Sequence, residues 1–272
     1  MSPTLPPSGR PLDGPYPFDN DSPHSAGHHL SLEQALDPLT LGHLADSGVA
    51  RGAHCLEVGS GAGSVAHALT RLVAPGGTVT ATDLKPGRIA PAPGLVVLTH
   101  DIVNDPLPKA RYDVVVARLV LQHLPERRKV LRRLARALVP GGLIQIDEFD
   151  TSTEHCLLAP TPADARLYER FTAAKAELMR AAGGDPAWGR HVPADLLAAG
   201  FTALDIRPHV LLRAPGRPAL GLQLHHLTHF APGLRDAGFT PAELDRLRAV
   251  MNDPGFAAVT GVLHSVQARR PA

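Results

Sequence analysis

Residues 55–66 read CLEVGSGAGSVA. A short apolar run that carries Glu57 ends in three glycines at alternate positions, Gly59, Gly61 and Gly63. His54–Val58 has the length and apolarity of a buried strand, and Ser64–Val73 has helical periodicity. The stretch is therefore a strand, a tight turn and a helix. Gly59 and Gly61 permit positive φ and let a ligand touch bare backbone, and Gly63 lets the helix pack close to the sheet. In an open α/β sheet this crevice is the expected ligand site. Most ligands of such turns present phosphate to the helix N-terminus. Glu57 would repel phosphate there, because like charges in a partly desolvated site cost free energy. The dinucleotide spacing G-x-G-x-x-G is also not met: the third glycine comes one residue early and Ser64 holds the last small position. A cationic ligand reverses the sign of the Glu57 interaction.

The alternation continues outward. Thr78–Thr82, Leu95–Thr99, Tyr112–Ala117 and Leu143–Phe149 read as further strands. Pro75-Gly76-Gly77 and Pro140-Gly141-Gly142 are turns, and Pro125–Leu138 is an amphipathic helix whose basic face meets solvent. Tyr112–Ala117 is continuously apolar, as a strand covered on both faces must be. Strands alternating with helices predict right-handed crossovers and a parallel sheet. Upstream, His24 to Gly48 reads as two helices, the second opened by Asp37 as N-cap with Pro38 behind it. Downstream, Pro162–Ala182, Pro193–Ala199, Pro218–Phe230 and Pro241–Met251 read as helices. Leu204–Leu212 and Val259–Ala268 read as strands. Tyr168 and Phe171 lie on an apolar helix stripe and Trp188 is read as packing.

Bulk properties exclude several classes. The chain has 272 residues, 44% of them hydrophobic, and a formal net charge of +1. That balance offers no field for nucleic acid or an acidic membrane surface. Two cysteines, Cys55 and Cys156, cannot build a disulfide framework, and a reducing, cytoplasmic setting is expected. No apolar run reaches the roughly 18 residues of a membrane span, and no basic-then-apolar leader opens the chain. Residues 1–15 are rich in proline and read as a flexible tail.

Acids recur at the strand ends. Asp83 closes the second predicted strand, where a carboxylate accepts from both hydroxyls of a ribose. Asp101 follows the third and can accept from an adenine amino group, with the Ile102 N–H donating to the ring. Three acids at three successive strand ends are more than local turn chemistry explains. S-adenosylmethionine, which carries an ammonium and a sulfonium and no phosphate, fits this series. In LEVGSGAGSVA, VTATD, HDI, YDVVVARLVLQHLPE and LVPGGLIQIDE the chain resembles the class I S-adenosylmethionine-dependent methyltransferases, from about residue 16 to its C-terminus. It is most similar to the small-molecule enzymes of bacterial natural-product pathways, which also carry an aromatic-Asp-Asn segment, here Tyr16 to Asn20.

The resemblance implies a Rossmann-like α/β fold: a seven-stranded, mostly parallel sheet with helices on both faces, an antiparallel last strand and a helical cap. It implies that Glu57, Gly59, Gly61 and Gly63 contact the methionine part, Asp83 with Leu84 the ribose, Asp101 and Ile102 the adenine, and that Ala117 and Arg118 lie along the methionine moiety. The expected organisation is a tail (1–15), an N-terminal helical lid (16–50) and a methyltransferase domain (51–272) with cap insertions at about 151–183 and 213–252. Tyr16 and Phe18 are candidate lid aromatics.

Methyl transfer is in-line displacement at carbon and depends chiefly on positioning. A base is needed only where the nucleophile must lose a proton. The candidates are His123, after the fourth strand; Glu148, a pocket acid at the end of the fifth, on the face opposite Asp147; and His225 and His229, which share a helix face in LHHLTH. That run lacks the carboxylate of a zinc helix motif, so no metal is expected. The expected reaction is methylation of a small-molecule acceptor on a hydroxyl oxygen, in secondary metabolism. Carbon or nitrogen methylation, a methylation-coupled cyclisation and a non-catalytic cofactor-binding regulator remain open. A homodimer is open as well. A nicotinamide dehydrogenase is disfavoured by Glu57.

Overall fold

The computed structural model describes residues 25–272. The tail at 1–15 and the segment Tyr16 to Asn20 lie outside the described residues. The elements run α1 (Ser25–Asp46), β1 (His54–Val58), α2 (Ser64–Val73), β2 (Thr78–Asp83), β3 (Leu95–Thr99), β4 (Tyr112–Arg118), α3 (Arg127–Ala137), β5 (Leu138–Asp150), β6 (His155–Leu158), α4 (Pro162–Ala181), α5 (Val192–Ala198), β7 (Thr202–His209), β8 (Leu212–Arg213), α6 (Pro218–His229), α7 (Ala231–Asp236), α8 (Pro241–Asn252), β9 (Ala257–Val259) and β10 (Val262–Arg269).

Seven strands form one sheet in the order β3-β2-β1-β4-β5-β10-β7. β1 to β5 pair in parallel, and β10 runs antiparallel to both its neighbours. The order turns around between β1 and β4, which leaves a crevice beyond the carboxyl ends of these strands. One face packs α3, α5, Phe201 and the buried Trp188 against β4, β5 and β10. The other face packs α2, with Leu44 of α1, against β1, β2 and β4. Trp188 is packing, as expected: its indole N–H donates to Asp195 at 2.8 Å. Cys55 is buried in β1, and burial pushes its thiol up to about 12.

The remaining elements make a cap with a core of its own. Tyr168, Phe171, Leu227, Leu247, Met251 and Phe256 are buried together between α4, α6, α8 and a small sheet. That sheet, in the order β6-β9-β8, is antiparallel and adds three short strands to the expected helical cap. The predicted strands Leu204–Leu212 and Val259–Ala268 each divide between the two sheets. Their residues at 210–211 and 260–261 turn the chain from one to the other.

The N-terminal region is also corrected. α1 is one continuous helix with Pro38 inside it, not two helices. A proline in a helix interior costs about 3 kcal/mol, whereas full burial of Leu36 and Leu44 contributes roughly 1.5–3 kcal/mol each. Polar ties to the sheet add to that. Thr40 donates to Asp147 at 2.6 Å, Gln145 donates to Thr40 O at 3.0 Å, and Gln267 donates to His43 O at 2.9 Å. Packing therefore outweighs the local break, and Pro38 itself is exposed. Pro38→Ala should keep the fold and raise unfolding stability by about 1–3 kcal/mol. Denaturant unfolding of the two proteins measures it.

Candidate cofactor and acceptor site

A cavity of about 970 Å³ opens where β1 to β4 end and continues beneath the cap. This lies at the upper end of the range for pockets that hold a single ligand.

The turn after β1 forms its floor. Gly59, Gly61 and Gly63 all have positive φ, at 68°, 56° and 86°. A Cβ on Gly59 would clash with Val120, and one on Gly61 would come within 2.9 Å of His29 Cε1. Gly63 is not in the cavity wall. A Cβ there would meet Ile89 at 2.8 Å, so its role is the tight entrance to α2. Gly63 also gives α2 an N-cap without a side chain.

Glu57 fills that helix end. Its carboxylate lies against the Ala66 N–H of that first turn, the Ser60 hydroxyl donates to the Glu57 main-chain oxygen at 3.4 Å, and burial pushes the Glu57 pKa up to about 8. Its Oε2 is buried without a hydrogen-bond partner among the described residues. The nearest cation, Arg118, is already ion-paired with Asp37 at 2.7 Å. Glu33, in the same wall, has its pKa raised by burial and by Asp37. This end of the cavity thus holds more acid than base. The position where a pyrophosphate would sit is taken by a carboxylate that lacks a cation. An ammonium fits it and a phosphate does not.

Asp83 and Leu84 line the cavity beside this turn, as do Asp101 and Ile102 further along. Asp83 accepts from the Gly61 and Lys85 N–H groups, both at 2.9 Å. It therefore fixes the turn while facing the cavity. Asp101 accepts from the Val103 N–H at 2.8 Å and from Asn104 Nδ2 at 2.7 Å. Arg118 lines the cavity, but Ala117 does not. Ala117 is fully buried in the core on the other side of β4, because successive strand residues face opposite ways.

The catalytic candidates separate. His123 lines the cavity, and burial depresses its pKa to about 4. Glu148 does not line it. Glu148 is fully buried behind the wall, where Oε1 accepts from the N–H groups of Val120, Leu121 and Gln122 at 3.0, 2.7 and 3.3 Å. It holds the turn that carries His123, and burial raises its own pKa to about 8. His225 packs against α1, where a Cβ on Gly27 would lie 2.7 Å from its ring. His229 is exposed and its ring stands edge-on to Phe230 at 5.1 Å. The histidine of this run that reaches the cavity is His226, which burial holds well below the ordinary histidine range. Helical spacing identifies which histidines share a face, but not which face looks inward. No cluster of metal-ligating side chains occurs among the described residues.

Sequence reasoning missed His28 and His29 of α1. His29 covers the glycine turn, and His28 lies 5.7 Å, ring to ring, from His226. It also missed a buried polar group under the cap, made by Glu154, Lys175, Arg213 and Gln223. Lys175 was legible in part, since it falls four residues after Phe171 on the apolar stripe of α4.

Comparison with known proteins agrees with this geometry. Residues 56–146 match the family model described as "Methyltransferase domain". The chain is 34% identical over 137 residues to methyltransferase str2 of Strobilurus tenacellus, covering 50% of this chain and 48% of that protein. It is 29% identical over 168 residues to a ubiquinone biosynthesis O-methyltransferase of Xanthomonas oryzae pv. oryzae, covering 57% of this chain and 66% of the relative. In fold it is similar to phosphoethanolamine N-methyltransferase 2 of Haemonchus contortus, solved with phosphomonomethylethanolamine and S-adenosylhomocysteine. That likeness has a TM-score of 0.57 at 15% identity and covers 94% of this chain and 59% of that one. These matches show a methyltransferase domain over residues 56–146, and the chain spans about half the length of str2, the first of the relatives it matches. No helix among the described residues is long and apolar enough to cross a membrane.

Glu148 supplies a test of the site's scaffold. Glu148→Ala should cost about 2–3 kcal/mol, because it strands buried N–H donors, and Glu148→Gln should cost under about 1 kcal/mol. The proton on Glu148 is held more tightly in the folded chain. Its stabilising contribution is therefore full below about pH 4.5 and is lost as pH rises through about 8. Denaturant unfolding across that window should show a flatter pH dependence in the glutamine variant.

Proposed function

We propose that the chain transfers a methyl group from S-adenosylmethionine to a hydroxyl oxygen of a small-molecule acceptor, in secondary metabolism. The observation that carries this reading is one continuous cavity with two unlike ends. One half is floored by the cation-deficient Glu57 and walled by Asp83 and Asp101. The other half extends beneath the cap, where Phe149, Met179 and Leu222 give it an apolar wall. The ubiquinone-biosynthesis relative, named an O-methyltransferase, supports oxygen as the nucleophile.

When bound, the cofactor supplies an electrophilic methyl group on a sulfonium. The protein's part is to hold the ammonium against Glu57, to fix the glycine turn through Asp83, and to orient the acceptor under a cap that keeps water out. His123 and His226 are two of the five histidines that line the cavity, with His28, His29 and His100. Burial keeps both uncharged at neutral pH, so either is in the protonation state that accepts a proton from a hydroxyl. The lid at 16–50 belongs to this reading, with α1 as its described part.

The experiment is release of S-adenosylhomocysteine from methyl-labelled cofactor in the presence of a panel of phenols and aliphatic alcohols. Acceptor-dependent turnover is expected. His123→Ala or His226→Ala should lower kcat by about 10²-fold, while His229→Ala should leave it unchanged. Transfer of label only to carbon or nitrogen would overturn oxygen as the nucleophile. Binding of the cofactor without turnover against any acceptor would favour a regulator.

A further inference from the structure

The cap end of the cavity has a charge balance opposite to that of the glycine turn. Lys175, from α4, and Arg213, from β8, both line the cavity, and both are almost wholly buried. They share one carboxylate. Glu154 accepts from Lys175 Nζ at 3.2 Å and from Arg213 Nη1. The other neighbours are neutral. Gln223 Oε1 accepts from Lys175 at 3.0 Å, Gln223 Nε2 donates to Glu154 at 2.9 Å, and the Tyr168 hydroxyl accepts from Arg213 at 3.2 Å. His226, facing the group from α6, is held uncharged by burial.

Among the described residues, Glu154 is the carboxylate ion-paired with Lys175 and Arg213. Two buried cations against one anion leave an excess of one positive charge. Burial lowers Lys175 only to about 8, so it remains charged at neutral pH. An uncompensated buried charge is expensive. Arg213 Nε is moreover buried without a hydrogen-bond partner among the described residues. The adjoining wall is apolar, with Phe149, Met179 and Leu222.

We propose that this end of the cavity is an anion subsite, in which Lys175 and Arg213 hold the carboxylate of an acceptor whose body is otherwise apolar. A single carboxylate neutralises the excess, whereas a phosphate dianion would reverse it. The acceptor is then an apolar hydroxy acid, anchored by its carboxylate and methylated elsewhere. This rests on the reading that the other half of the cavity holds the cofactor.

The test is calorimetric titration of the full chain with benzoate, with its neutral isostere benzamide and with inorganic phosphate. Each titration is run with and without saturating S-adenosylhomocysteine, on the wild type and on Lys175→Gln. The variant leaves Glu154 paired one-to-one with Arg213, so it should melt no lower than the wild type. Benzoate should bind the wild type about tenfold or more tightly than benzamide, the usual advantage of a charge-assisted hydrogen bond, and the variant should lose that preference. Equal binding of benzoate and benzamide, or tighter binding of phosphate than of benzoate, would overturn the proposal. So would a variant that loses affinity for S-adenosylhomocysteine but not for benzoate, since the cations would then serve the cofactor's own carboxylate. The titrations without S-adenosylhomocysteine read the anion preference even where the homocysteine analogue fails to bind. The two readings can thus fail separately.

Discussion

The arrangement turns on where the Glu57 carboxylate sits. A helix N-terminus behind a glycine turn attracts anions, and here the chain supplies its own. Glu57 meets the first turn of α2, so no phosphate can take that place. Its remaining oxygen is buried without a hydrogen-bond partner among the described residues, and Arg118, the cation that acts on it, is ion-paired with Asp37. Burial then makes the unliganded carboxyl reluctant to ionise. A ligand bearing an ammonium removes that reluctance. On the proposed reading, the same physical feature disfavours dinucleotides and favours a cationic cofactor.

The cavity is electrostatically divided along its length. The end at the glycine turn has excess acid, from Glu57 and Glu33 against the committed Arg118. The cap end has excess base, from Lys175 and Arg213 against Glu154. Between them stand uncharged histidines and apolar side chains. The cap can bury its own charged group because it has an independent core, built on Tyr168, Phe171 and Phe256. The sheet sets the cavity floor through β1, β2 and β4, while the cap closes its other end. α1 joins the two. Its inner face is hydrogen-bonded to β5 and β10, and its first turns bring His28 and His29 over the glycine turn and toward α6.

Much of this was legible in the sequence because the central strands are buried on both faces and alternate with helices. The strand-end acids Asp83 and Asp101 could be located at the cavity because each follows its strand at once. What escaped has particular causes. β6, β8 and β9 are two to four residues long, too short for any periodicity. Asp37-Pro38 carries a genuine helix-start signal, but the buried face of α1 overrides it. Ala117 could have been excluded by strand alternation, since Arg118 and Ala117 cannot face the same way. Glu148 was assigned to the correct strand end, but its partner is the backbone of residues 120–122, a long-range contact that no local pattern records. The same holds for Glu154 and Arg213, which meet across 59 residues.

The central claim is that a cation completes Glu57. The most direct measurement is the number of protons released when S-adenosylhomocysteine binds, from calorimetry near pH 7 in two buffers of different ionisation enthalpy. With the free carboxyl at about 8, about one proton should leave per molecule bound, and affinity should climb as pH rises toward 8. Glu57→Gln should abolish the release. Tight binding with no proton released, or NADH binding in place of the homocysteine analogue, would contradict the account.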